Sequence, residues 1–233
     1  MKIIEHFVEG KKYSGNSKRT SLIYNPATGE STAKVKLGST EDLNKVVEAA
    51  QKAFLDWSNT PPLQRARVLF RFKELIEKNE DELVKIIVSE HGKVYEDARG
   101  SLTRGLEVVE YACGIPQMLK GEFTENVGKN VDSWSLRQPL GVCAGITPFN
   151  FPAMVPMWMF PMAIACGNTF ILKPSEKDPS CSLRLAELFT DAGLPNGVFN
   201  VVNGDKEVVD AIISNKNISA VSFVGSTPVA KYI

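Results

Sequence analysis

Three polar segments of the chain could do chemistry, and each follows a short apolar run that is typical of a β-strand. They are Thr147-Pro148-Phe149-Asn150, Lys173-Pro174-Ser175-Glu176 and Gly225-Ser226-Thr227. The amide of Asn150 is a neutral donor that can stabilise a developing oxyanion. Lys173 and Glu176 offer a cation and acceptors that suit ribose hydroxyls. Ser226 is a good helix N-cap, and the free N–H groups at such a helix start can hold a pyrophosphate.

Each segment also has an ordinary structural explanation. Asn150 lies in a proline-rich turn, where asparagine commonly serves the turn alone. Lys173 and Glu176 are compatible with an exposed charged loop, and Ser226 with a plain helix cap. No G-x-G-x-x-G follows a strand, so the usual dinucleotide fingerprint is missing and a conventional Rossmann dehydrogenase is disfavoured.

The second half of the chain alternates short apolar strands with helices. The predicted strands are 142–147, 169–173, 198–202 and 220–224, and the predicted helices are 154–166, 179–192 and 205–214. Apolar strands that alternate with helices are typical of an α/β fold with a doubly wound parallel sheet. Ligands of such sheets bind beyond the carboxyl ends of the strands, where the three polar segments lie.

The first half is predicted to be mainly helical. One helix begins near Ser39 or Thr40, a later one ends at Gly92, and a fourth covers 94–119. Two extended segments flank a turn within 20–35. Residues 122–142 predict a hairpin around Gly128-Lys129-Asn130, interpreted as an arm that reaches toward a partner subunit.

Composition excludes several classes of protein. The 233 residues carry 27 basic and 27 acidic side chains, so the chain has no net positive charge that would favour binding to nucleic acid. The apolar stretch 151–165 is interrupted by prolines and too short to span a bilayer, and no targeting segment is recognised, which predicts a cytoplasmic protein without a membrane partner. Only two histidines accompany the cysteines, and neither a structural metal nor a disulfide framework is expected. The cysteines are Cys113, Cys143, Cys166 and Cys181.

Taken together, the strand-end segments resemble the aldehyde dehydrogenase superfamily in order and spacing. Gly167-Asn168 and the segment 193–200 add to the resemblance, and weaker similarity reaches back to 25–30, so it covers essentially the whole chain. Phe149, where most members have Trp, and the segment 158–176 are similar to the methylmalonate-semialdehyde dehydrogenase branch. The resemblance implies an NAD-binding domain of the aldehyde dehydrogenase type. It divides the chain into N-terminal strands and helices (1–121), a hairpin oligomerisation arm (122–142) and the NAD-binding sheet (143–233).

The activity that the resemblance implies is an NAD-dependent, CoA-acylating oxidation of methylmalonate or malonate semialdehyde. The products are propionyl-CoA or acetyl-CoA and carbon dioxide. In this family a cysteine thiolate attacks the aldehyde, hydride passes to the nicotinamide, and coenzyme A takes the acyl group from the thioester. The family also implies a homodimer or homotetramer.

The resemblance assigns roles to residues that match the family's motifs. Asn150 would donate to the oxyanion, and Arg104 would bind the substrate carboxylate, although it could equally be a surface arginine of its helix. The remaining matches concern the cofactor. They are Thr147 and Phe149 lining the dinucleotide groove, Lys173 and Glu176 on the adenosine ribose, Lys177 at the adenosine end, and Gly225 and Ser226 at the pyrophosphate.

One feature of the family is missing from this sequence. The nucleophilic cysteine of the family lies well after the Gly-Ser-Thr turn, whereas this sequence stops at Ile233, and none of its four cysteines matches the nucleophile motif. We therefore expect an N-terminal portion without the catalytic domain, inactive by itself. Two alternatives remain: a non-acylating aldehyde dehydrogenase, and a catalytically silent nucleotide-binding or oligomerisation module.

Overall fold

A computed structural model describes residues 1–233. From residue 142 onward its strands and helices alternate as the sequence predicts. The strands are β1 (Lys2–Ile4), β2 (His6–Val8), β3 (Lys11–Tyr13), β4 (Thr20–Tyr24), β5 (Ser31–Lys36), β6 (Phe123–Gly128), β7 (Val131–Trp134), β8 (Val142–Ile146), β9 (Thr169–Lys173), β10 (Phe199–Val201) and β11 (Ile218–Phe223). The helices are α1 (Thr40–Trp57), α2 (Pro62–Lys78), α3 (Glu80–His91), α4 (Tyr95–Cys113), α5 (Ile115–Met118), α6 (Met154–Ala165), α7 (Ser180–Asp191), α8 (Lys206–Ser214) and α9 (Thr227–Tyr232). No helix combines the length and apolar character needed to cross a bilayer.

The main sheet has six strands in the order β11-β8-β9-β10-β2-β3. The four strands of the predicted series are parallel, which confirms the α/β fold with a parallel sheet. Strands β2 and β3 extend the sheet in antiparallel pairing, so the whole sheet is mixed. The sequence did not predict these two strands because each has only three residues, too few for an alternation pattern to be read.

Helices cover both faces of the sheet, as a doubly wound fold requires. On one face α6 and α7 pack against the strands, with the Phe160 and Phe199 rings stacked at 4.4 Å. On the other face α1 and α8 bury Val46 and Ile212 against β8 and β9. The chain runs from β8 through β9 to β10 and then returns to the opposite side of β8 for β11. The switch point of the sheet, where ligands bind in folds of this kind, therefore lies between β8 and β11.

The first-half helices follow their local signals, with one correction. Ser39 caps α1 in a capping box with Asp42, and α3 ends at Gly92, whose φ of 83° is left-handed, both as predicted. The single helix expected over 94–119 is wrong, because α4 ends at Cys113 and a separate turn, α5, follows. Pro116 has no N–H to continue the helical ladder, which accounts for the break.

Two smaller sheets complete the structure. Strands β4 and β5 flank the turn predicted within 20–35, and β1 pairs with β5 in parallel. Strands β6 and β7 form the predicted hairpin, in which every residue is exposed. The role of this hairpin as an oligomerisation arm and the three-part division of the chain remain predictions.

Candidate functional site

The three polar segments follow strands whose carboxyl ends are level with one another. Ile146 of β8 pairs with Lys173 of β9 on one side and with Phe223 of β11 on the other. The ends of β9 and β11 are therefore two interstrand spacings apart, roughly 10 Å. Lys173, Glu176 and Ser226 follow these ends at one edge of the sheet, on either side of the switch point.

Lys173 is the most enclosed charged group of this edge, with 5% of its surface exposed. Its Nζ donates to the carbonyl oxygen of Gly204 at 2.9 Å and lies 3.8 Å from Oε2 of Glu176. Burial lowers the pKa of the Lys173 ammonium, and the carboxylates of Glu176 and Asp205 oppose that shift. The ammonium keeps hydrogens that Gly204 does not use, and the half-buried Glu176 supplies acceptors beside them.

The loop that follows β9 contains a buried carboxyl group that the sequence did not single out. Asp178 is 2% exposed, and neither of its oxygens has a hydrogen-bond partner. Burial, together with the nearby carboxylates of Glu90 and Glu176, raises the pKa of Asp178 to about 9. Burial also raises the pKa of Glu90, whose Oε2 accepts from the backbone N–H of Ser180 at 3.1 Å. Asp178 is therefore protonated at neutral pH.

The turn after β8 brings Phe149 next to the β9 loop. The Phe149 ring is 48% exposed, and Nζ of Lys177 lies 4.6 Å from its centroid. Both residues line a cavity of about 500 Å³ together with Glu176 and Asp178 of the loop. Thr147 is buried, with its Oγ1 lacking a hydrogen-bond partner, whereas Asn150 is exposed. The turn thus holds one buried hydroxyl without a partner and presents one exposed amide at the sheet edge.

Gly225 and Ser226 lie between β11 and α9. A Cβ at position 225 would lie 2.3 Å from Cζ of Phe223, so the Phe223 ring fills the space that a side chain would need. Ser226 occupies the N-cap position with an extended backbone, φ −75° and ψ 152°, but its side chain makes no capping hydrogen bond. Ser226 is therefore the N-cap residue by its backbone conformation, as the sequence predicts, but its hydroxyl does not cap the helix. That exposed hydroxyl is available to a ligand.

Arg104 is the one predicted residue that lies on a helix of the first half. It is exposed on α4 and forms neither a salt bridge nor a hydrogen bond with the other predicted residues. Its neighbour Gly105 is buried where α4 crosses α6, and a Cβ there would lie 2.3 Å from Cε of Met157. The close crossing fixes the position of the helix that carries Arg104.

Comparison with known sequences identifies the family. The sequence model of the aldehyde dehydrogenase family matches residues 13–233. The chain belongs to the aldehyde dehydrogenase family. The resemblance inferred from the strand-end segments is thereby confirmed.

Relatives within the aldehyde dehydrogenase family cover the whole chain. A malonate-semialdehyde dehydrogenase of Pseudomonas aeruginosa is 58% identical over 100% of this chain, which corresponds to 47% of the relative. A mitochondrial acylating methylmalonate-semialdehyde dehydrogenase of Arabidopsis thaliana is 50% identical over 99% of this chain and 38% of the relative. A Sinorhizobium meliloti protein crystallised with NAD superimposes with a TM-score of 0.98 at 56% identity, over 100% of this chain and 47% of that one. The chain spans about half the length of the curated relatives it matches, or less.

The cysteines of this aldehyde dehydrogenase family member are poorly suited to nucleophilic attack. Cys113, Cys143 and Cys181 are buried, and Cys166 is half-buried. Burial raises the pKa of Cys113 and of Cys143 to about 11 and also raises the pKa values of Cys166 and Cys181. Because the thiolate is the reactive form, burial makes these four groups less reactive than a free cysteine.

Sequence reasoning missed the segment that follows β10. The carbonyl oxygen of Gly204 accepts a hydrogen bond from the Lys173 ammonium, and the N–H of Asn203 donates to Nδ1 of His6 at 3.0 Å. The strand-end rule that identified the other segments would also have identified 203–205, because these residues directly follow the third parallel strand. His6 gives no comparable signal, since its partner lies 197 positions away in the chain.

Proposed function

We propose that the chain is the NAD-binding part of a CoA-acylating dehydrogenase that acts on malonate or methylmalonate semialdehyde. The names of the relatives support the semialdehyde class, and the Arabidopsis relative is described as acylating. The observation that carries the proposal is the buried Lys173 ammonium, paired with Glu176 at the switch-point edge of the sheet. Such a pair offers donors and an acceptor side by side, as the hydroxyls of a ribose require.

Residues of this edge fit a dinucleotide. Lys173 and Glu176 bind the adenosine ribose, and the free hydroxyl of Ser226 binds the pyrophosphate, with Gly225 allowing a close approach. Thr147, whose buried Oγ1 has no partner within the chain, lines the dinucleotide groove. NAD supplies the nicotinamide that accepts hydride from the substrate.

Further residues have proposed roles near the cofactor and the substrate. Phe149 lines the dinucleotide groove, and Lys177, which lies over its ring, borders the adenosine end. The exposed amide of Asn150 donates to the oxyanion formed from the aldehyde. Arg104 binds the substrate carboxylate, for which the planar guanidinium is suited.

In the proposed reaction, malonate semialdehyde, coenzyme A and NAD⁺ yield acetyl-CoA, carbon dioxide and NADH. Hydride would pass from the aldehyde carbon to the nicotinamide. The carbon–carbon bond to the carboxylate would break as carbon dioxide is released, and the α-carbon would take up the proton that the coenzyme A thiol gives up. The acyl group forms a thioester with coenzyme A. We propose that the 233 residues alone do not catalyse this reaction, because burial raises the pKa of all four of their thiols and so disfavours the reactive thiolate. A cytoplasmic location and a homodimeric or homotetrameric state are part of the same proposal.

Equilibrium binding of NAD to the chain tests the cofactor site. Lys173→Met removes the ammonium while keeping most of the side-chain volume, and we expect NAD affinity to fall roughly tenfold, the contribution of a charged hydrogen bond. Lys85→Met is the matched control, because Lys85 is exposed on α3 and pairs with Asp81, away from the sheet edge. An unsubstituted chain that does not bind NAD, or a Lys173→Met variant that binds equally well, would refute the proposed site.

NADH formation from malonate semialdehyde separates the remaining alternatives. We expect no turnover by the 233-residue chain, with or without coenzyme A. Activity of a longer product of the same gene that requires coenzyme A supports the acylating reaction. Activity without coenzyme A that is insensitive to Arg104→Ala supports a non-acylating dehydrogenase. Complete inactivity supports a silent nucleotide-binding or oligomerisation module, which the raised pKa values of the cysteines also favour.

A further inference from the structure

The Lys173 ammonium is oriented by a turn rather than by a side chain of its own strand. The hydrogen bond that Nζ makes at 2.9 Å goes to the carbonyl of Gly204, directly after β10. Glu176, at 3.8 Å, is beyond hydrogen-bond distance and contributes by charge alone. The direction in which the ammonium points therefore depends on where the turn at Asn203 and Gly204 is held.

Segments from the N-terminal part of the chain hold this turn. Nδ1 of His6 accepts from the N–H of Asn203 at 3.0 Å, and the carbonyl of Glu5 accepts from Nδ2 of Asn203 at 2.9 Å. On the opposite side, the N–H of Gly38 donates to the carbonyl of Asn203 at 2.9 Å. The backbone N–H and C=O of Asn203 are thus both bound by residues that precede the first helix.

His6 is buried in a form that suits it as an acceptor. It is 1% exposed, and burial lowers its pKa to about 4, with Asp42 opposing the shift and Lys36 adding to it. The ring is therefore neutral near pH 7, with its proton on Nε2 because Nδ1 accepts a hydrogen bond. Nε2 is buried without any partner, and the nearest ring, that of Tyr13, is 6.0 Å away. An apolar residue here would leave the buried N–H of Asn203 without an acceptor, so the contact with the turn is what the imidazole supplies at this position.

We propose that His6 is a positioning residue for Lys173. Its imidazole holds the Asn203–Gly204 turn, and the Gly204 carbonyl in turn aims the ammonium toward the ribose of the dinucleotide. The inference rests on the proposed function, in which Lys173 binds that ribose. His6 lies before residue 13, where the match to the family model begins, so the positioning contact comes from an N-terminal strand that this match does not include.

Three variants of the 233-residue chain, with a fourth as a replacement for the first, test this role. His6→Leu removes the acceptor, and His6→Asn restores it, because an asparagine Oδ1 lies close to the place of Nδ1. Val8→Ala is the structural control, since Val8 is a buried residue of the same strand whose apolar side chain packs in the core and forms no hydrogen bond to the turn. His6→Phe keeps a ring without the acceptor and replaces His6→Leu if that variant does not fold.

The measurement is the dissociation constant for NAD and for an NAD analogue that lacks the 2′-hydroxyl of the adenosine ribose, together with the melting temperature of each variant. We expect His6→Leu to weaken NAD binding roughly fivefold, about the net contribution of one hydrogen bond, and to weaken binding of the analogue less. His6→Asn should retain NAD affinity, and Val8→Ala should lower the melting temperature without changing the preference for NAD over the analogue.

Two outcomes overturn the inference while leaving the proposed function intact. One is an unchanged NAD affinity in His6→Leu, or in His6→Phe where that variant is used. The other is an equal loss of affinity for NAD and for the analogue, matched by Val8→Ala, which is the result expected of a purely structural residue. A chain whose NAD affinity does not respond to Lys173→Met refutes the proposed function and this inference together.

Discussion

At the scale of single residues, burial decides the charge state of the groups around the candidate site. Asp178 and His6 are both almost fully buried, and each is neutral near pH 7, the first because burial raises its pKa and the second because burial lowers it. Lys173 is also buried, but the carboxylates of Glu176 and Asp205 lie near it and oppose its deprotonation. The formal charges of the sequence are therefore a poor description of this edge of the sheet.

Glu176→Gln tests the charge balance around Lys173. Loss of the carboxylate at 3.8 Å removes an acceptor for the ribose and one of the charges that support the ammonium. We expect NAD affinity to fall roughly tenfold, as measured by calorimetry. Glu187→Gln, a half-exposed partner of Arg184 on α7, is the control and should leave NAD affinity unchanged. Equal affinities of the two variants would contradict the proposed role of Glu176.

His6 also makes the stability of the fold depend on pH. Its pKa is lowered from 6.5 to about 4 in the folded state, so its contribution is fully present above pH 6.5 and is lost as the pH falls toward 4. Full protonation would cost about 3 kcal/mol. Urea unfolding at several pH values should therefore show a smaller loss of stability over this range in His6→Leu than in the unsubstituted chain. Parallel pH profiles for the two proteins would show that His6 does not titrate in this way.

At the scale of elements, α1 depends on the capping box of Ser39 and Asp42. The buried Asp42 carboxylate accepts from the backbone N–H groups of Asn16, Ser17 and Ser39 at 2.7, 3.2 and 3.0 Å. Burial opposes its charge, but these hydrogen bonds outweigh burial and lower its pKa to about 2. The box therefore joins the start of α1 to the segment between β3 and β4.

Asp42→Asn should destabilise the chain by about 2 kcal/mol near pH 7, because it removes a charge that several backbone N–H donors surround. The loss of free energy should shrink as the pH falls from 3.8 to about 2, where the native carboxylate is itself protonated. Denaturant unfolding measures both effects. Glu41→Gln, an exposed change in the same helical turn, should alter stability little. A destabilisation equal to that of Asp42→Asn would argue against the box.

A second prediction at this scale concerns the packing of α4 against α6. A Cβ at Gly105 would meet Cε of Met157 at 2.3 Å and Cα of Met154 at 3.1 Å, so Gly105→Ala should push the helices apart and destabilise the fold by about 1–3 kcal/mol. Gly100→Ala lies on the same helix with no atom within 4 Å of the new Cβ and should stabilise the fold by about 0.5–1 kcal/mol. Thermal unfolding distinguishes these opposite signs, and the same sign for both variants would contradict the packing described.

At the scale of the whole molecule, apolar side chains remain exposed at the hairpin. Phe123 of β6 and Trp134 of β7 face each other across the ladder and are 66% and 68% exposed. Val127 and Val131 are also more than half exposed. A monomer would leave these groups in water, which supports the proposal that the hairpin associates with a second copy of the chain.

Trp134→Ser should weaken self-association. The substitution removes a large exposed ring without disturbing a packed core, so the fold should persist while the oligomer dissociates. Sedimentation equilibrium of the unsubstituted chain should give a dimer or tetramer, and that of the variant a smaller species. Tyr111→Ser, which removes another exposed ring on α4, is the control and should leave the mass unchanged. A monomeric unsubstituted chain would refute the role of the hairpin.

Much of the fold was predictable because its signals are local. The apolar runs of β8 and β9, the cap at Ser39 and the left-handed Gly92 each depend on a few neighbouring residues. The ends of these elements were harder to predict than their presence. The break at Gly114 is an example, because a single proline two residues later decides whether the helix continues.

The sequence by itself determined the order of strands and helices and the polar segments after three of the strands, because periodicity and turn chemistry act over short stretches of chain. Only the tertiary structure decided that β2 joins the far side of the sheet, that His6 binds Asn203, and that Gly204 holds the Lys173 ammonium. These contacts join residues up to 197 positions apart. Which donor meets which acceptor over such a separation depends on how all the intervening elements pack, and no local pattern carries that information.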